Sequence, residues 1–285
     1  MSGVWRVLVL LLAWLAVAGA EPVELRVVAA NLTCGRHPSY APDRNQDPEG
    51  AGARILKELE ADLVLIQEFN TDIPMKAWVE DSFGPGFHFS CEADAEIPNG
   101  IVSRYPILAS GEWDDPTQTN RDFAWAKIKL PNGRLLWAVS VHWYSQKSAV
   151  RVAEAQALLK AIEAEVPEED LLVIGGDFNT RSRRAPAIEV LATAFPIGPK
   201  YPVDQAGNGN TNAKRSRPYD WVVADAELAK MEVPVKFAGE VFPHGLVFDS
   251  RVFKPLPKPV LVEDSGRFQM QHMAVVRDFV VGSER

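Results

Sequence analysis

Short apolar runs rich in valine, isoleucine and leucine, each closed by a turn signal or a polar residue, narrow the fold of this chain more than any other feature. Glu24 to Ala30 (ELRVVAA) and Leu63 to Gln67 (LVLIQ) read as strands, with an amphipathic helix around Ala51 to Glu60 between them. Gly100 to Ser103 and Ile107 to Glu112 follow, then Ala124 to Leu130 and Leu135 to Val141, hinged on Pro131-Asn132-Gly133. An Asn-Gly pair flanked by strand sequence is a hairpin signal. Ser148 is expected to cap a helix running to about Glu165, with Val150, Ala153, Ala157, Leu158 and Ile162 on or near one face. Leu171 to Gly175, Tyr219 to Val223 and Met273 to Val281 complete the strands. No internal repeat or low-complexity linker interrupts this pattern. The proline-rich stretches Phe195 to Pro202 and Lys254 to Pro259 read as surface connections, so one domain of mixed α and β structure is the simplest account.

The first twenty residues stand apart. Arg6 precedes an apolar run from Val7 to Val17, which ends in Ala18-Gly19-Ala20. This is the pattern of a secretory leader cleaved after Ala20, and the run is too short to span a bilayer comfortably, which takes about 20 apolar residues. The expectation is a secreted or periplasmic protein whose domain runs from 21 to 285, without stable membrane insertion once the leader is gone, and a monomer. The formal net charge of −8 becomes −9 without Arg6, whereas a protein that grips nucleic acid over its whole surface is usually basic. Any polyanion must therefore meet a local patch. Cys34 and Cys91 are the two cysteines; export makes a disulfide chemically possible, free thiols are equally consistent, and nothing in their spacing suggests a metal site.

The polar residues at the strand ends carry the chemistry. The first strand ends in Asn31, the second in Glu68, the strand to Val141 in His142, and the strand to Gly175 in Asp177 and Asn179; a late strand starts beside Asp220. With these strands side by side, three carboxylates, two amides and an imidazole share one rim. Carboxylate and amide oxygens are what a hard cation such as Mg²⁺ accepts, and that ion also takes waters and substrate phosphate oxygens. Imidazole supplies an acid, a base or a phosphate contact near neutral pH. Singly, each residue is more often a turn former or a solvated polar group than a catalytic one; their joint order is the signal.

In that order the chain resembles the endonuclease/exonuclease/phosphatase superfamily, whose fold is that of pancreatic deoxyribonuclease I. The pieces are VVAANL with Asn31, DLVLIQE with Glu68, NGIVSRYPI with Ser103 and Arg104, VSVHW with His142, VIGGDFNT with Asp177 and Asn179, RPYDWVV with Asp220, and QHMAVVRDF with His272. The resemblance implies an α+β fold, a four-layer α/β/β/α sandwich of two mainly antiparallel sheets, with the site at one end. It implies a metal-dependent phosphoester hydrolase using Mg²⁺, with Mn²⁺ or Ca²⁺ as alternatives. Glu68 is then the principal metal ligand, with Asn31 beside it holding metal or phosphate. Asp177 and Asn179 orient water and phosphoryl oxygens, His142 contacts the scissile phosphate, Asp220 orients a partner or assists the metal, and His272 is general base or phosphate contact.

One position departs from the pattern: the family usually has Ser-Asp-His before the last strand, and this chain has Met270-Gln271-His272. The expectation is that another acid, such as Asp264 or Asp249, reaches His272. Arg104, Arg181 and Arg217 are candidate substrate contacts. Arg181, Arg183 and Arg184 on one loop, with Lys214, Arg215 and Arg217 on another, would form a local polyanion patch. The substrate expected first is DNA or RNA. The alternative is a lipid headgroup or small phosphoester, resembling sphingomyelinases or inositol polyphosphate phosphatases, for which Phe242 to Phe248 is the stretch where exposed aromatics would be sought. A binding module without catalysis, motivated by Gln271, is the third reading.

Overall fold

The computed structural model describes residues 21–32, 50–69, 74–266 and 270–283; the expected leader and Cys34 lie outside the described residues. Along the chain the elements are β1 (Val23–Asn31), α1 (Ala51–Leu59), β2 (Leu63–Gln67), α2 (Met75–Phe83), β3 (His88–Cys91), β4 (Gly100–Ser103), β5 (Ile107–Trp113), β6 (Phe123–Lys129), β7 (Leu135–His142) and α3 (Ser148–Glu165). There follow β8 (Leu171–Asp177), α4 (Pro186–Leu191), β9 (Asp220–Ala224), α5 (Ala226–Ala229), β10 (Glu232–Val233), β11 (Val235–Phe237), β12 (Glu240–Phe242), β13 (Leu246–Phe248) and β14 (Ala274–Val281).

Two sheets face each other. The first has the order β10-β14-β1-β2-β4-β3, with β13 also paired to β14, and the second the order β5-β6-β7-β8-β9. Each is antiparallel except for one parallel pair, β1 with β2 and β7 with β8. Side chains alternate between faces along a strand. Leu25, Val27 and Ala29 of β1 therefore meet Ala126, Ala138 and Val173 between the sheets, while Val28 and Ala30 turn outward onto Ile55, Leu56 and Leu59 of α1. Strands covered on both faces must be apolar on both, which is why LVLIQ does not alternate. On the far side of the second sheet, α3 and α4 cover Trp137, Val139 and Ile174. The result is the four-layer α/β/β/α sandwich. Full burial of a side chain such as Ile55 or Leu59, both 1% exposed or less, contributes roughly 1.5–3 kcal/mol and fixes the layer spacing.

Strand bounds match the sequence reading to within a residue or two, and the 131–133 hairpin forms with the Gly133 amide bonded to the Leu130 carbonyl and Gly133 at φ 90°. The α3 expectation is corrected. Ser148 is the first helical residue rather than the cap, and the buried seam is Arg151, Glu154, Ala155 and Leu158. Two ionic residues lie inside because the start of α3 leans on polar loop backbone: Glu154 accepts from the Tyr144 amide, and Arg151 donates to the Tyr144 carbonyl. Among the described residues no helix is long and apolar enough to cross a membrane.

Candidate active site

Strand direction and register assemble the site. β1 and β2 run parallel with Asn31 opposite Gln67, so Asn31 and Glu68 emerge at the same end. In the second sheet His142, Asp177 and Asp220 are direct cross-strand neighbours. β14 runs antiparallel to β1 and begins at this end, which brings His272 there too. The sheets are tied just behind the site, where the Gln67 amide donates to the Ser140 hydroxyl at 2.8 Å and that hydroxyl donates to the Ile66 carbonyl. Gly176 makes this approach possible: at φ 138°, any Cβ there would lie 2.1 Å from the Val141 carbonyl oxygen and 2.9 Å from the Gln67 amide nitrogen.

The polar residues form a continuous network. The Asn31 amide donates to Glu68 Oε1 at 2.9 Å and to Asp177 Oδ2 at 3.2 Å, spanning the sheets. Asp177 also accepts from the backbone of Asn179 (2.8 Å) and from its side chain (3.1 Å), and that side chain donates to the Trp143 carbonyl. His142 Nε2 sits 3.4 Å from Asp177 and 3.7 Å from Glu68. Glu68 (φ 55°) and Asn179 (φ 49°) hold left-handed backbone conformations, which non-glycine residues adopt at a cost of order 1 kcal/mol and which cluster at functional sites.

His272 Nδ1 lies 2.9 and 3.1 Å from the two carboxylate oxygens of Asp220. The acid on His272 is thus Asp220, which corrects the expectation for Asp249 and Asp264. Asp249 is held by Arg215 and Arg251, and Asp264 by Arg54 at 2.5 Å. Burial pulls the His272 ring down, but Asp220, then Asp177 and Glu68, outweigh it and hold the ring up at about 10. His142 goes the other way: burial first, then the Arg121 charge, keep it well below its ordinary value and therefore neutral. Burial raises Asp177 to about 7, with Asp220 and Glu68 adding to the rise against the pull of His272.

Two groups of donors could hold a divalent cation: Glu68, His142 and Asp177, and Asp177, Asp220 and His272, with ligand atoms within 4.8 Å of one another in each. The first fits better. His142 is neutral and turns Nε2 toward Glu68 and Asp177, and the two carboxylates supply the oxygen donors that a hard cation takes.

Not every expected residue is here. Arg104 is removed from the site: Ser103 pairs with Leu63 at the start of β2, about five strand residues or roughly 16 Å from Glu68. Its guanidinium bonds Asp62 at 2.7 Å and covers the Phe87 ring. The six-cation patch also shrinks. Arg183 is sandwiched against Tyr201 and Trp221 and donates to the Gly209 carbonyl, and Arg215 is spent on Asp204 and Asp249. Arg181 stays exposed, and Arg217 lines a pocket with His272. Sequence reasoning missed Arg121. It is 7% exposed, donates to the His142 carbonyl at 2.6 Å, and its charge reaches Asp177 and Glu68. A lone arginine before a strand carries no periodic or motif signal, so only the fold reveals it.

The model of the Endonuclease/Exonuclease/phosphatase family matches residues 45–235. Solved structures share the fold at low identity. An endonuclease/exonuclease/phosphatase family protein from Bacteroides thetaiotaomicron is 15% identical over 93% of this chain and 98% of that one, with TM-score 0.64. D. rerio TDP2 complexed with a single-strand DNA product is 20% identical over 90% and 98%, with TM-score 0.62. A mannosyl-6-phosphatase of Bacteroides thetaiotaomicron VPI-5482 is 14% identical over 90% and 99%, with TM-score 0.57. No protein of curated function matches by sequence. The chain belongs to the endonuclease/exonuclease/phosphatase family, whose members are phosphoester hydrolases.

Proposed function

We propose that this chain is an exported, metal-dependent phosphoester hydrolase whose substrate is a phosphodiester of DNA or RNA. The observation that carries hydrolysis is the strand-end network in which Asn31 joins Glu68 to Asp177 while Asp220 grips His272. Glu68, with His142 and Asp177, would hold Mg²⁺, or Mn²⁺ or Ca²⁺ in its place; when bound, the ion polarises the phosphoryl group and eases departure of the leaving oxygen. Asn31 fixes the two carboxylates. Asn179, whose backbone and side chain both bond Asp177, orients the attacking water with it. His272, protonated at neutral pH, faces the phosphoryl oxygens and stabilises their developing charge. Arg121, bonded to the His142 carbonyl, adds positive charge that reaches Asp177 and Glu68 from behind. Export rests on the leader-like residues 1–20.

A second reading, a small phosphoester as substrate, is favoured by the loss of Arg183 and Arg215 from the patch and by the acidic chain. The lipid version loses support, since Phe242 and Phe248 are 5% and 0% exposed. The test is hydrolysis of plasmid DNA, a single-stranded oligonucleotide, sphingomyelin and an inositol polyphosphate by the mature protein, with Mg²⁺ or EDTA. EDTA-sensitive turnover lost in Glu68→Gln and His272→Ala supports the reading, and the substrate cut selects between its versions. Turnover in EDTA, or none on any substrate, counts against it.

A further inference from the structure

Beside His272 opens a pocket of about 350 Å³, walled by Asn212, Lys214, Arg217, Tyr219 and Gln271. This lies within the size range of small-ligand sites. The loop that forms its wall is anchored from behind: the half-buried Arg215, at φ 54°, bonds Asp204 (2.7 Å), Asp249, and the carbonyls of Asn208 (3.0 Å) and Asn210 (2.6 Å), so its charge is consumed inward. The same loop is tied to the catalytic strands: Thr211 accepts the Asp220 amide at 2.8 Å through its hydroxyl and the Met273 amide at 2.7 Å through its carbonyl. Lys214 and Arg217, flanking Arg215, are thereby set on the site side.

Their charge is not neutralised locally. Among the described residues neither makes an ion pair, and Arg217 bonds only the Tyr219 hydroxyl through its side chain, at 3.3 Å. Gln271 adds an uncharged amide to the same wall. On a chain of net charge −8, next to a site holding three carboxylates, two uncompensated cations around one concavity form an anion receptor. The Tyr219 ring, 5.7 Å from the His272 ring, offers a flat face between pocket and catalytic centre.

We infer that this pocket is a second anion subsite, and that the substrate carries a further phosphate group close to the phosphoester that is cut. The inference rests on the hydrolase reading and deepens it. Lys214 and Arg217 hold the second phosphate, and Tyr219 lies along the group that links the two. That phosphate is either the next one along a polynucleotide or the second of a small bisphosphate.

The test is equilibrium binding by calorimetry in Ca²⁺, with ligand integrity followed by phosphorus NMR. Thymidine 3′,5′-bisphosphate is compared with thymidine 5′-monophosphate, and fructose 1,6-bisphosphate with fructose 6-phosphate. The expected result is that one bisphosphate binds at least roughly tenfold tighter than its monophosphate, and that Lys214→Ala and Arg217→Gln each erase roughly tenfold of that preference. Lys230→Ala, beyond the opposite end of β9, keeps it. Preference in the nucleotide pair alone assigns the subsite to polynucleotides, and in the sugar pair alone to small bisphosphates. No preference in the unmodified protein, or one that survives both pocket variants, overturns the inference. Preference without hydrolysis of any substrate leaves the subsite standing and removes the hydrolase reading.

Discussion

Replacing Asp220 by Asn tests the electrostatics of the site at its tightest contact. Asp220 is 1% exposed and meets His272 Nδ1 at 2.9 Å. The ring is held at about 10 against an ordinary 6.5, and at about 1.4 kcal/mol per pH unit that gap is about 5 kcal/mol of net preference for the charged form. Burial opposes it, so the carboxylates together supply more than this. Asp220 leads them, with Asp177 at 3.9 Å and Glu68 behind it. If Asp220 supplies roughly half of the net preference, its neutral isostere drops the ring to about 8. Proton NMR titration of the imidazole in EDTA, with the resonance assigned through His272→Gln, reads this directly. The sign for stability follows: a raised histidine stabilises fully below about 6.5 and loses that contribution as pH rises through about 10, so Asp220→Asn costs most below 6.5. Turnover should fall by roughly 10²–10³-fold, the usual worth of one charge-stabilising donor aimed at the developing oxyanion. A ring that stays above about 9.5 in the variant would refute the assignment of Asp220 as its principal partner.

Other expectations follow from single contacts. Arg104→Ala leaves kcat/KM within about twofold, because its guanidinium serves Asp62 at the other end of the sandwich; a large loss in a steady-state assay would return Arg104 to the site. Glu92, buried and pushed up to about 8 chiefly by burial despite bonds from the Asn99 and Asp122 amides, favours its protonated form in the fold. Its stabilising contribution is therefore present below about 4.5 and lost as pH rises through about 8. Tm should fall between pH 5 and 8.5 with a shallower slope in Glu92→Gln, as thermal melts at the two pH values will read.

Much of this arrangement was legible in the residue pattern, for identifiable reasons. β1, β2, β7 and β8 are covered on both faces, so their composition alone marks them, and the polar residue that ends each is placed by strand direction without any long-range inference. What stayed hidden depends on pairing across the chain. That Asp220, rather than Asp249 or Asp264, meets His272 follows from β9 and β14 starting at the same rim, which brings together residues 52 positions apart in sequence. The short strands β10 to β13 and helices α2 and α4 lack sustained periodicity. The inward turn of Arg183 and Arg215 was equally invisible, because charged residues in a Gly- and Asn-rich loop look solvated until the carboxylates that bury them are in place. Arg151 and Glu154 hid for the opposite reason, since polar residues on a helix are assigned to its wet face.

The central claim is that the strand-end cluster around Glu68 holds a divalent metal for phosphoester chemistry. Electron paramagnetic resonance titration of the protein lacking residues 1–20 with Mn²⁺ tests it most directly, since free and bound ion are counted separately and no substrate need be known. The account predicts saturable binding in the unmodified protein, weakened at least tenfold in Glu68→Gln, in competition with Mg²⁺ and accompanied by a fall in the His272 value as the cation joins the site. Binding that is equally tight in Glu68→Gln, or no binding at all, would contradict it.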